Sequence, residues 1–258
     1  MAVNRRDFLK IAGLSAALGL GGKSAFELLW PGQLDAAEMP AASGLTAKRW
    51  GLAMDVRKFT PELRKACIET CNTHHNIPKI DSKQNIKWVW ETHYESAFPD
   101  LEQEYIQEDV KETPFLVMCN HCDNPPCVRV CPTKATFRRE DGIVMMDMHR
   151  CIGCRFCMAA CPYGSRSFNF HDPRKFLPDP SPNKDYPTRT KGVVEKCTFC
   201  TERLAVGQIP YCVEASQGAM LFGDMSDAGS APRKALRSRY SIRRNAGLGT
   251  NPQVYYLI

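Results

Sequence analysis

Four features that would each indicate a familiar class of protein are missing from this 258-residue sequence. Beyond the first 20 residues, no stretch of about 18 apolar residues is available to span a membrane. A glycine-rich nucleotide-binding motif and a nucleophile paired with a base are also lacking, which disfavours a self-contained redox enzyme with catalytic residues of its own. The net charge of +6 comes without aromatic residues interleaved along a basic stripe, so nucleic acid is not an expected partner.

Cysteine is the residue type that stands out instead. The sequence holds 13 cysteines together with 18 prolines and 17 glycines. Such a composition favours a fold built around metal sites and loops, in which the bound metal supplies part of the folding free energy. We therefore expect an α+β fold with modest amounts of helix and strand.

The clearest cysteine motif, which we number the third, covers residues 151–162. Its spacing is C-x2-C-x2-C-x3-C-P, in which the first three cysteines hold one [4Fe–4S] cube and the fourth reaches a second cube. Gly153 permits a tight turn, and the last step begins a short helix that Pro162 ends. A structural zinc site would use paired C-x2-C knuckles, and a disulfide framework would not group its cysteines in quartets. The motif therefore indicates iron–sulfur clusters.

The N-terminal residues predict export. The segment Asn4-Arg5-Arg6-Asp7-Phe8-Leu9-Lys10 precedes an apolar run at residues 11–20. This order is typical of a twin-arginine signal, which we place at residues 1–36 with cleavage near Ala36-Ala37. An ordinary amphipathic N-terminus is disfavoured, because glycines in and after the run make a poor helix. Since this route carries proteins already folded around cofactors, the expected location is the periplasm or the outer face of the cytoplasmic membrane.

The remaining boundaries follow from composition and from the spacing of the motifs. We predict a linker at residues 37–47, a ferredoxin-like domain at 48–225 with insertions at 68–110 and 172–192, and a basic tail at 226–258 that is solvated or faces a partner. The domain is expected to open with a strand at Arg49–Asp55. A hairpin with its turn at Asp141-Gly142 is predicted between the second and third motifs.

Three more cysteine motifs flank the third, and two of them are incomplete. The second motif, Cys119–Pro132, is a full quartet, and His121 within it is expected to form a hydrogen bond and not to bind metal. The first motif retains Cys67-x3-Cys71, because Arg64 and Pro61 stand where two cysteines belong. The fourth motif consists of Cys197, Cys200 and Cys212, with Ser216 in its last position.

The incomplete motifs can be paired. In a pseudo-symmetric double ferredoxin-like fold, the second motif pairs with the third and the first with the fourth, each lending its last cysteine to the partner. Three ligand sets are then complete: set 1 is Cys119, Cys122, Cys127 and Cys161; set 2 is Cys131, Cys151, Cys154 and Cys157; set 3 is Cys71, Cys197, Cys200 and Cys212. A fourth cluster would need Pro61, Arg64, Cys67 and Ser216, which cannot hold it. We therefore expect three [4Fe–4S] clusters and a buried free thiol at Cys67.

Several segments also resemble a known family. Cys131-Pro132-Thr133, Asp141–Val144, Cys151–Gly164 and Lys196–Cys200 are similar to the electron-transfer subunits of dimethyl sulfoxide reductase, polysulfide reductase and NrfC-type nitrite reductase systems, over about residues 48–225. Those relatives usually carry four clusters. The departures at Pro61, Arg64 and Ser216, the twin-arginine signal and the segment Cys71–Pro78 resemble the periplasmic iron–sulfur subunits of DsrMKJOP transmembrane complexes.

The resemblance implies partners and a function. The partners would be an NrfD-type integral membrane subunit that interacts with quinone and a periplasmic multihaem cytochrome c, in anaerobic respiration linked to sulfur metabolism. Three alternatives remain open: an electron-transfer subunit of a molybdopterin oxidoreductase, a stand-alone iron–sulfur enzyme, and a disulfide-stapled structural protein.

The sequence also supports predictions about four single residues near the motifs. Arg155 and Lys196 adjoin ligands and are hypothesised to raise the potentials of their clusters. Trp88 and Trp90 are expected either in the core or at a partner-facing edge.

Overall fold

The computed structural model describes residues 44–177 and 183–258. The expected twin-arginine signal at residues 1–36, most of the linker at 37–47 and the prolines at 178, 180 and 182 therefore lie outside the described residues. Within the described ranges, no helix combines the length and the apolar character needed to cross a membrane.

Short strands and short helices alternate along the chain, as the α+β expectation requires. The strands are β1 Trp50–Asp55, β2 Val89–Thr92, β3 Phe115–Met118, β4 Thr136–Arg138, β5 Val144–Met146, β6 Ser167–Phe168, β7 Val194–Glu195, β8 Met220–Asp224, β9 Ser241–Ile242 and β10 Val254–Leu257. The α-helices are α1 Pro61–His74, α2 Tyr94–Ala97, α3 Glu108–Glu112, α4 Pro126–Arg129, α5 Phe156–Ala159, α6 Thr201–Leu204, α7 Tyr211–Ala215 and α8 Ala231–Ser238. Single 3-10 turns lie at Val56–Lys58, Pro99–Leu101, Pro173–Phe176 and Ala246–Leu248.

A four-stranded sheet in the order β8-β1-β10-β9 joins distant parts of the described chain. The opening strand predicted from the sequence is confirmed as β1, and every residue of it is buried. It pairs antiparallel with β8, where Leu52 faces Phe222, and parallel with β10, where the same residue faces Val254. A parallel neighbour on one side and an antiparallel one on the other make this a mixed sheet.

Residues 226–258 are part of this domain in the structure and do not form a separate tail. They contribute α8, β9 and β10, and Val254, Tyr256 and Leu257 are buried. Of the basic residues that suggested a solvated segment, Arg233, Lys234 and Arg237 lie in α8, whereas the apolar alternation at the end pairs with β1. The folded domain therefore extends past residue 225.

Three two-stranded sheets complete the described strands. The hairpin predicted between the second and third motifs is confirmed as β4 and β5, with Phe137 opposite Met145. Gly142 in its turn has a φ of +84°, a conformation that glycine adopts without steric cost. The pairs β2–β3 and β6–β7 are also antiparallel.

Helix α1 is the longest described helix, and it contains the first motif. Thr60 caps it by accepting a hydrogen bond from the Leu63 backbone N–H at 3.3 Å, and Pro61 occupies its first turn, where a missing N–H costs nothing. Its buried face consists of Arg64, Cys67 and Cys71. The sequence analysis found only two surviving cysteines in this motif and did not foresee a continuous helix over it.

The buried apolar residues form a larger and a smaller group. The larger group surrounds the four-stranded sheet and the β2–β3 pair, and Trp88 lies within it at 1% exposure, so this tryptophan is a core residue. The smaller group contains two cysteines and the β4–β5 hairpin: Cys127, Ala135, Val144, Met146, Cys157 and Val194. We call residues 119–168 the central region, and residues 61–75 together with 197–224 the flanking region.

Candidate metal centres

All 13 cysteines lie within the described residues, and every one is a free thiol. The protein therefore has no disulfide framework in this structure. The structure therefore gives no support to the alternative of a disulfide-stapled structural protein.

Set 3 lines one cavity. Cys71, Cys197, Cys200 and Cys212 all contribute to its wall, and all four are buried. Cys71 comes from α1 and Cys212 from α7, two helices that pack together, while Cys200 immediately precedes α6. Burial, together with the thiols of Cys212, Cys197 and Cys200, raises the pKa of Cys71 well above its usual value. The last cysteine of the first motif thus lies among the cysteines of the fourth.

A histidine in the wall of this cavity pairs with a glutamate. His75 is 1% exposed, and its Nδ1 lies 3.0 Å from the Cys71 carbonyl oxygen and 3.7 Å from the Cys71 Sγ. Its Nε2 lies 2.9 Å from Oε1 of Glu202, whose side chain is 36% exposed. The sequence analysis assigned no role to His75, although its spacing of four residues from Cys71 at the end of a helix was a usable signal.

A buried ion pair supports that histidine. Arg189 donates to the carbonyl oxygens of His75 and Asn76, and it pairs with Glu195 at 2.7 Å. The same carboxylate accepts from the Trp88 indole N–H at 2.9 Å. Both charged side chains are almost fully buried, so their mutual pairing satisfies them where water cannot. Arg189 lies in the stretch 172–192 that the sequence analysis treated only as an insertion.

Set 1 lines a second cavity. Its wall includes Cys119, Cys122 and Cys127 of the second motif and Cys161 of the third. Burial raises the pKa of Cys161, and the thiol of Cys119 raises it further. Burial likewise raises the pKa of Cys122 to about 12. The last cysteine of the third motif therefore lies with the cysteines of the second motif.

Set 2 lies closer to the surface. Cys157 is buried, Cys131 and Cys151 are half-buried, and Cys154 is exposed. Burial raises the pKa of Cys157, and the nearby Cys151 thiol adds to this effect. Cys131 and Cys151 both pack against the small apolar group that contains Cys157. Three members of this set therefore adjoin one apolar group, and Cys154 is exposed.

The loop between these cysteines has the backbone that the motif demands. Gly153 has a φ of +69°, and a Cβ on it would lie 2.4 Å from the Gly192 carbonyl oxygen. A side chain at this position would meet backbone and not a flexible group, so glycine is required for two reasons. A short helix is present at the end of the motif, as predicted, but its bounds differ: α5 begins at Phe156, before the last step of the motif, and ends at Ala159, so it does not include Cys161.

His121 forms a hydrogen bond, as expected. Its Nδ1 accepts from the Val144 backbone N–H at 3.1 Å, and its ring stacks on Phe199 with centroids 3.7 Å apart. Burial lowers the pKa of His121 well below its usual value, and the charges of Lys196 and other basic neighbours add to this. The imidazole is therefore neutral and packs between the cavities of sets 1 and 3.

The positions of a fourth cluster are occupied by side chains that pair with protein groups. Arg64 donates to Glu91 Oε1 and to the Phe59 carbonyl, both at 2.8 Å. Ser216 is fully buried, donates to the Val213 carbonyl at 2.6 Å and accepts from the Met220 backbone N–H at 3.0 Å. The buried Cys67 thiol donates to the Cys212 carbonyl oxygen at 3.4 Å. These contacts satisfy the polar atoms without a metal.

The residues around the two cavities fit cysteine-ligated iron–sulfur clusters. Each wall offers four thiols, the ligands that [4Fe–4S] clusters take. Burial raises the pKa of Cys197 to about 12, so a thiolate there needs a metal as its counter-charge. Asn120, which lines the cavity of set 1, has a buried side-chain amide with no hydrogen-bond partner among the described residues. Such a donor suits the sulfur atoms of a cluster.

Three basic residues near these sets differ in exposure. Arg155 is exposed and lies over the rings of Phe168 and Phe170, at 5.4 and 5.7 Å from their centroids. Lys196 and Arg166 are both buried. The sequence analysis singled out the first two of these basic residues but missed Arg166, because it lies outside every cysteine motif.

Comparisons with known proteins agree with this chemistry. A sequence family described as "4Fe-4S dicluster domain" matches residues 112–174. The chain is 41% identical over 232 residues to the Hdr-like menaquinol oxidoreductase iron-sulfur subunit 1 of Archaeoglobus fulgidus, covering 81% of this chain and 83% of that protein. It is 34% identical over 238 residues to the menaquinone reductase, iron-sulfur cluster-binding subunit of Nitratidesulfovibrio vulgaris, covering 81% and 88%. With a component of polysulfide reductase from Wolinella succinogenes it shares 36% identity over 195 residues, covering 74% and 85%.

Proposed function

Because this protein belongs to the family of 4Fe-4S electron-transfer subunits, we propose that it carries electrons within a membrane-bound quinone oxidoreductase complex. The observation that carries this proposal is the pair of buried cavities, each walled by four free thiols from two different motifs. Two similar proteins are named for menaquinol or menaquinone chemistry, which supports quinone as the membrane carrier.

We further propose three [4Fe–4S] clusters held by sets 1, 2 and 3, within a pseudo-symmetric double ferredoxin-like fold. The crossing of Cys161 to the second motif and of Cys71 to the fourth supports this pairing. The protein-paired side chains of Arg64 and Ser216 support the absence of a fourth cluster. When bound, the clusters supply one-electron redox chemistry, with potentials that depend on burial, hydrogen bonds and local charge.

The protein's own residues would fix and insulate these groups. Buried thiols on α1, α4, α5 and α7 hold their positions through the packing of those helices, and the larger apolar group excludes water from set 3. Glu202 holds the His75 ring near Cys71, and Arg189 fixes the His75 backbone by donating to its carbonyl oxygen. Set 2, with its exposed Cys154, is the set most accessible to another redox protein.

The proposals on export, partners and type of complex rest on the amino-acid sequence. We propose export by the twin-arginine route to the periplasmic face, an NrfD-type membrane subunit and a multihaem cytochrome c as partners, and a place among the DsrMKJOP-type complexes of sulfur metabolism. The basis is the N-terminal Asn4–Lys10 segment together with the three departures at Pro61, Arg64 and Ser216.

Iron analysis of two matched variants tests the cluster assignment. The anaerobically purified protein should hold about twelve irons per chain, four for each cube. Cys71→Ala should lose about four of them together with one electron paramagnetic resonance (EPR) signal, because set 3 then has only three thiols. Cys67→Ala, four residues earlier on the same helix, should keep all of them. About sixteen irons in the unaltered protein, or equal iron in the two variants, contradicts the assignment.

Co-purification tests the partners. The complex isolated from its own membrane should contain haem and a polytopic membrane subunit. Molybdenum in a large catalytic subunit would instead favour the molybdopterin alternative, which the 36% identity to a putative dimethyl sulfoxide reductase iron-sulfur subunit from Halobacterium salinarum keeps open.

A further inference from the structure

Arg166 is a buried cation in contact with a ligand of set 1. Its guanidinium donates to the Cys127 Sγ of set 1 at 3.0 Å. Cys157 of set 2 belongs to the same small buried apolar group as Cys127. The guanidinium therefore lies where sets 1 and 2 adjoin.

No carboxylate within the described ranges pairs with this guanidinium. Its other contacts are the Thr136 Oγ1 at 3.0 Å and the Met146 Sδ at 3.7 Å, both of which are neutral. Burial acts to lower the pKa of Arg166, yet the thiols of Cys127 and Cys157 raise it above its usual value. A buried charge needs an opposite charge nearby, and the ligand sulfurs are the groups in position to provide it.

Lys196 has the same relation to sets 3 and 1. It is fully buried, and its Nζ donates to the Cys197 carbonyl at 2.7 Å and to the Val144 carbonyl. Cys197 belongs to set 3, whereas Val144 lines the cavity of set 1. In the part of the chain that the structure describes, Lys196 also pairs with no carboxylate.

Each of these two cations lies at a junction between two neighbouring ligand sets. Cys119 of set 1 packs against the larger apolar group, which contains Cys197 of set 3, whereas Cys127 of set 1 and Cys157 of set 2 both belong to the smaller group. The sets therefore follow the order 3, 1, 2. Lys196 lies at the first junction and Arg166 at the second.

We propose that Lys196 and Arg166 are fixed positive charges at the two junctions between clusters, and that each raises the reduction potential of both clusters beside it. The proposal rests on the three-cluster assignment made above. Reduction adds negative charge to a cluster, so a nearby cation shielded from water favours the reduced form. Because set 1 adjoins both cations, its cluster is stabilised in the reduced form twice over.

The proposal predicts a pattern across two variants that no single local defect would give. Arg166→Gln should lower the reduced-to-oxidised ratio of the clusters of sets 1 and 2 about tenfold at a fixed potential, equivalent to about 59 mV for a one-electron couple. Lys196→Met should do the same for sets 3 and 1. EPR-monitored redox titration of the purified complex measures these ratios, and the signal lost in Cys71→Ala identifies set 3.

Two further variants separate charge from structure. Arg155→Gln removes a cation beside set 2 that is exposed, so water should screen it and the ratios should change less than about threefold. Arg166→Lys keeps the charge with fewer donors and should hold both ratios near those of the unaltered protein, which keeps the test valid if Arg166→Gln loses iron. Shifts in Arg166→Lys as large as those expected for Arg166→Gln would overturn the proposal.

Failure of this inference is distinguishable from failure of the proposed function. An unaltered complex without about twelve irons rejects the cluster assignment itself. A complex with the expected iron and three signals, whose ratios stay unchanged in Arg166→Gln and Lys196→Met, rejects only the role of the two cations. A shift confined to one cluster in either variant also rejects it, because each cation is predicted to act on two.

Discussion

The first and third cysteine motifs share one spacing template but have different backbones. In the central region, α5 begins one residue before Cys157, and the preceding cysteines lie in a loop with positive φ at Gly153 and Arg155. In the flanking region, α1 begins at Pro61, so the positions of all four template residues are helical.

The difference shows what a cluster does for its loop. A cysteine loop leaves backbone N–H groups without backbone partners, and cluster sulfurs can accept from them. In the first motif, where Pro61 and Arg64 stand in place of cysteines, helix α1 satisfies such backbone groups within the helix, and Arg64 forms an ion pair with Glu91.

Removal of iron should produce the largest difference between the central and flanking regions, measured as the rate of amide hydrogen exchange. The central region is held by a small apolar group that includes ligand cysteines, whereas the flanking region contains β8 of the four-stranded sheet. Hydrogen exchange of the chelated protein should therefore accelerate about 100-fold or more at the α5 amides and by less than about tenfold at the β8 amides. Equal acceleration at both would show that the clusters do not stabilise the central region selectively.

Arg64→Ala should destabilise the flanking region by about 1–3 kcal/mol, because it leaves the Phe59 carbonyl and Glu91 without their partner. Anaerobic thermal unfolding would show this as a lower Tm, by ~2–4 °C for each kcal/mol. Lys65→Ala on the same helix removes an exposed pair with Glu69 at 3.8 Å and should change stability by less than about 0.5 kcal/mol. Similar losses in both variants would contradict a structural role for Arg64.

Restoring the missing cysteines should have the smallest effect. The triple variant Pro61→Cys, Arg64→Cys and Ser216→Cys completes the fourth set with Cys67, yet we expect iron to stay at about twelve per chain. The reason is that α1 already uses the backbone N–H groups of this segment within the helix. A rise to about sixteen irons would show that side chains alone decided the loss, and a double cysteine variant that retains Arg64 is the control.

Much of this arrangement was predictable because cysteine spacing is a strong local signal. The strand β1 and the β4–β5 hairpin followed from pattern and turn chemistry, and so did the presence of a short helix near Cys161, although α5 begins and ends earlier than predicted. The pairing of β10 with β1 did not follow, since a short alternation after a basic segment does not specify a partner about 200 residues away.

The supporting residues were harder to find than the ligands. Arg166 and Arg189 belong to no motif, and their roles depend on which buried groups the fold brings to them. The helix over Pro61–Arg64 was missed because the ferredoxin template predicts a loop there, and the sequence analysis treated the substitutions only as lost ligands.

The strand β10 also has a consequence for the order of synthesis. Just before it, the Gln253 backbone N–H donates to the Asn120 carbonyl at 2.9 Å, and the Asp123 N–H donates to the Asn251 carbonyl at 3.0 Å. The loop of the second motif is therefore held in place by hydrogen bonds to residues about 130 positions later in the chain. A ribosome must add all of those residues before the fastening forms, so the cysteines of set 1 leave the exit tunnel long before their loop is closed. That interval is a time in which iron and sulfide can be delivered to an open site.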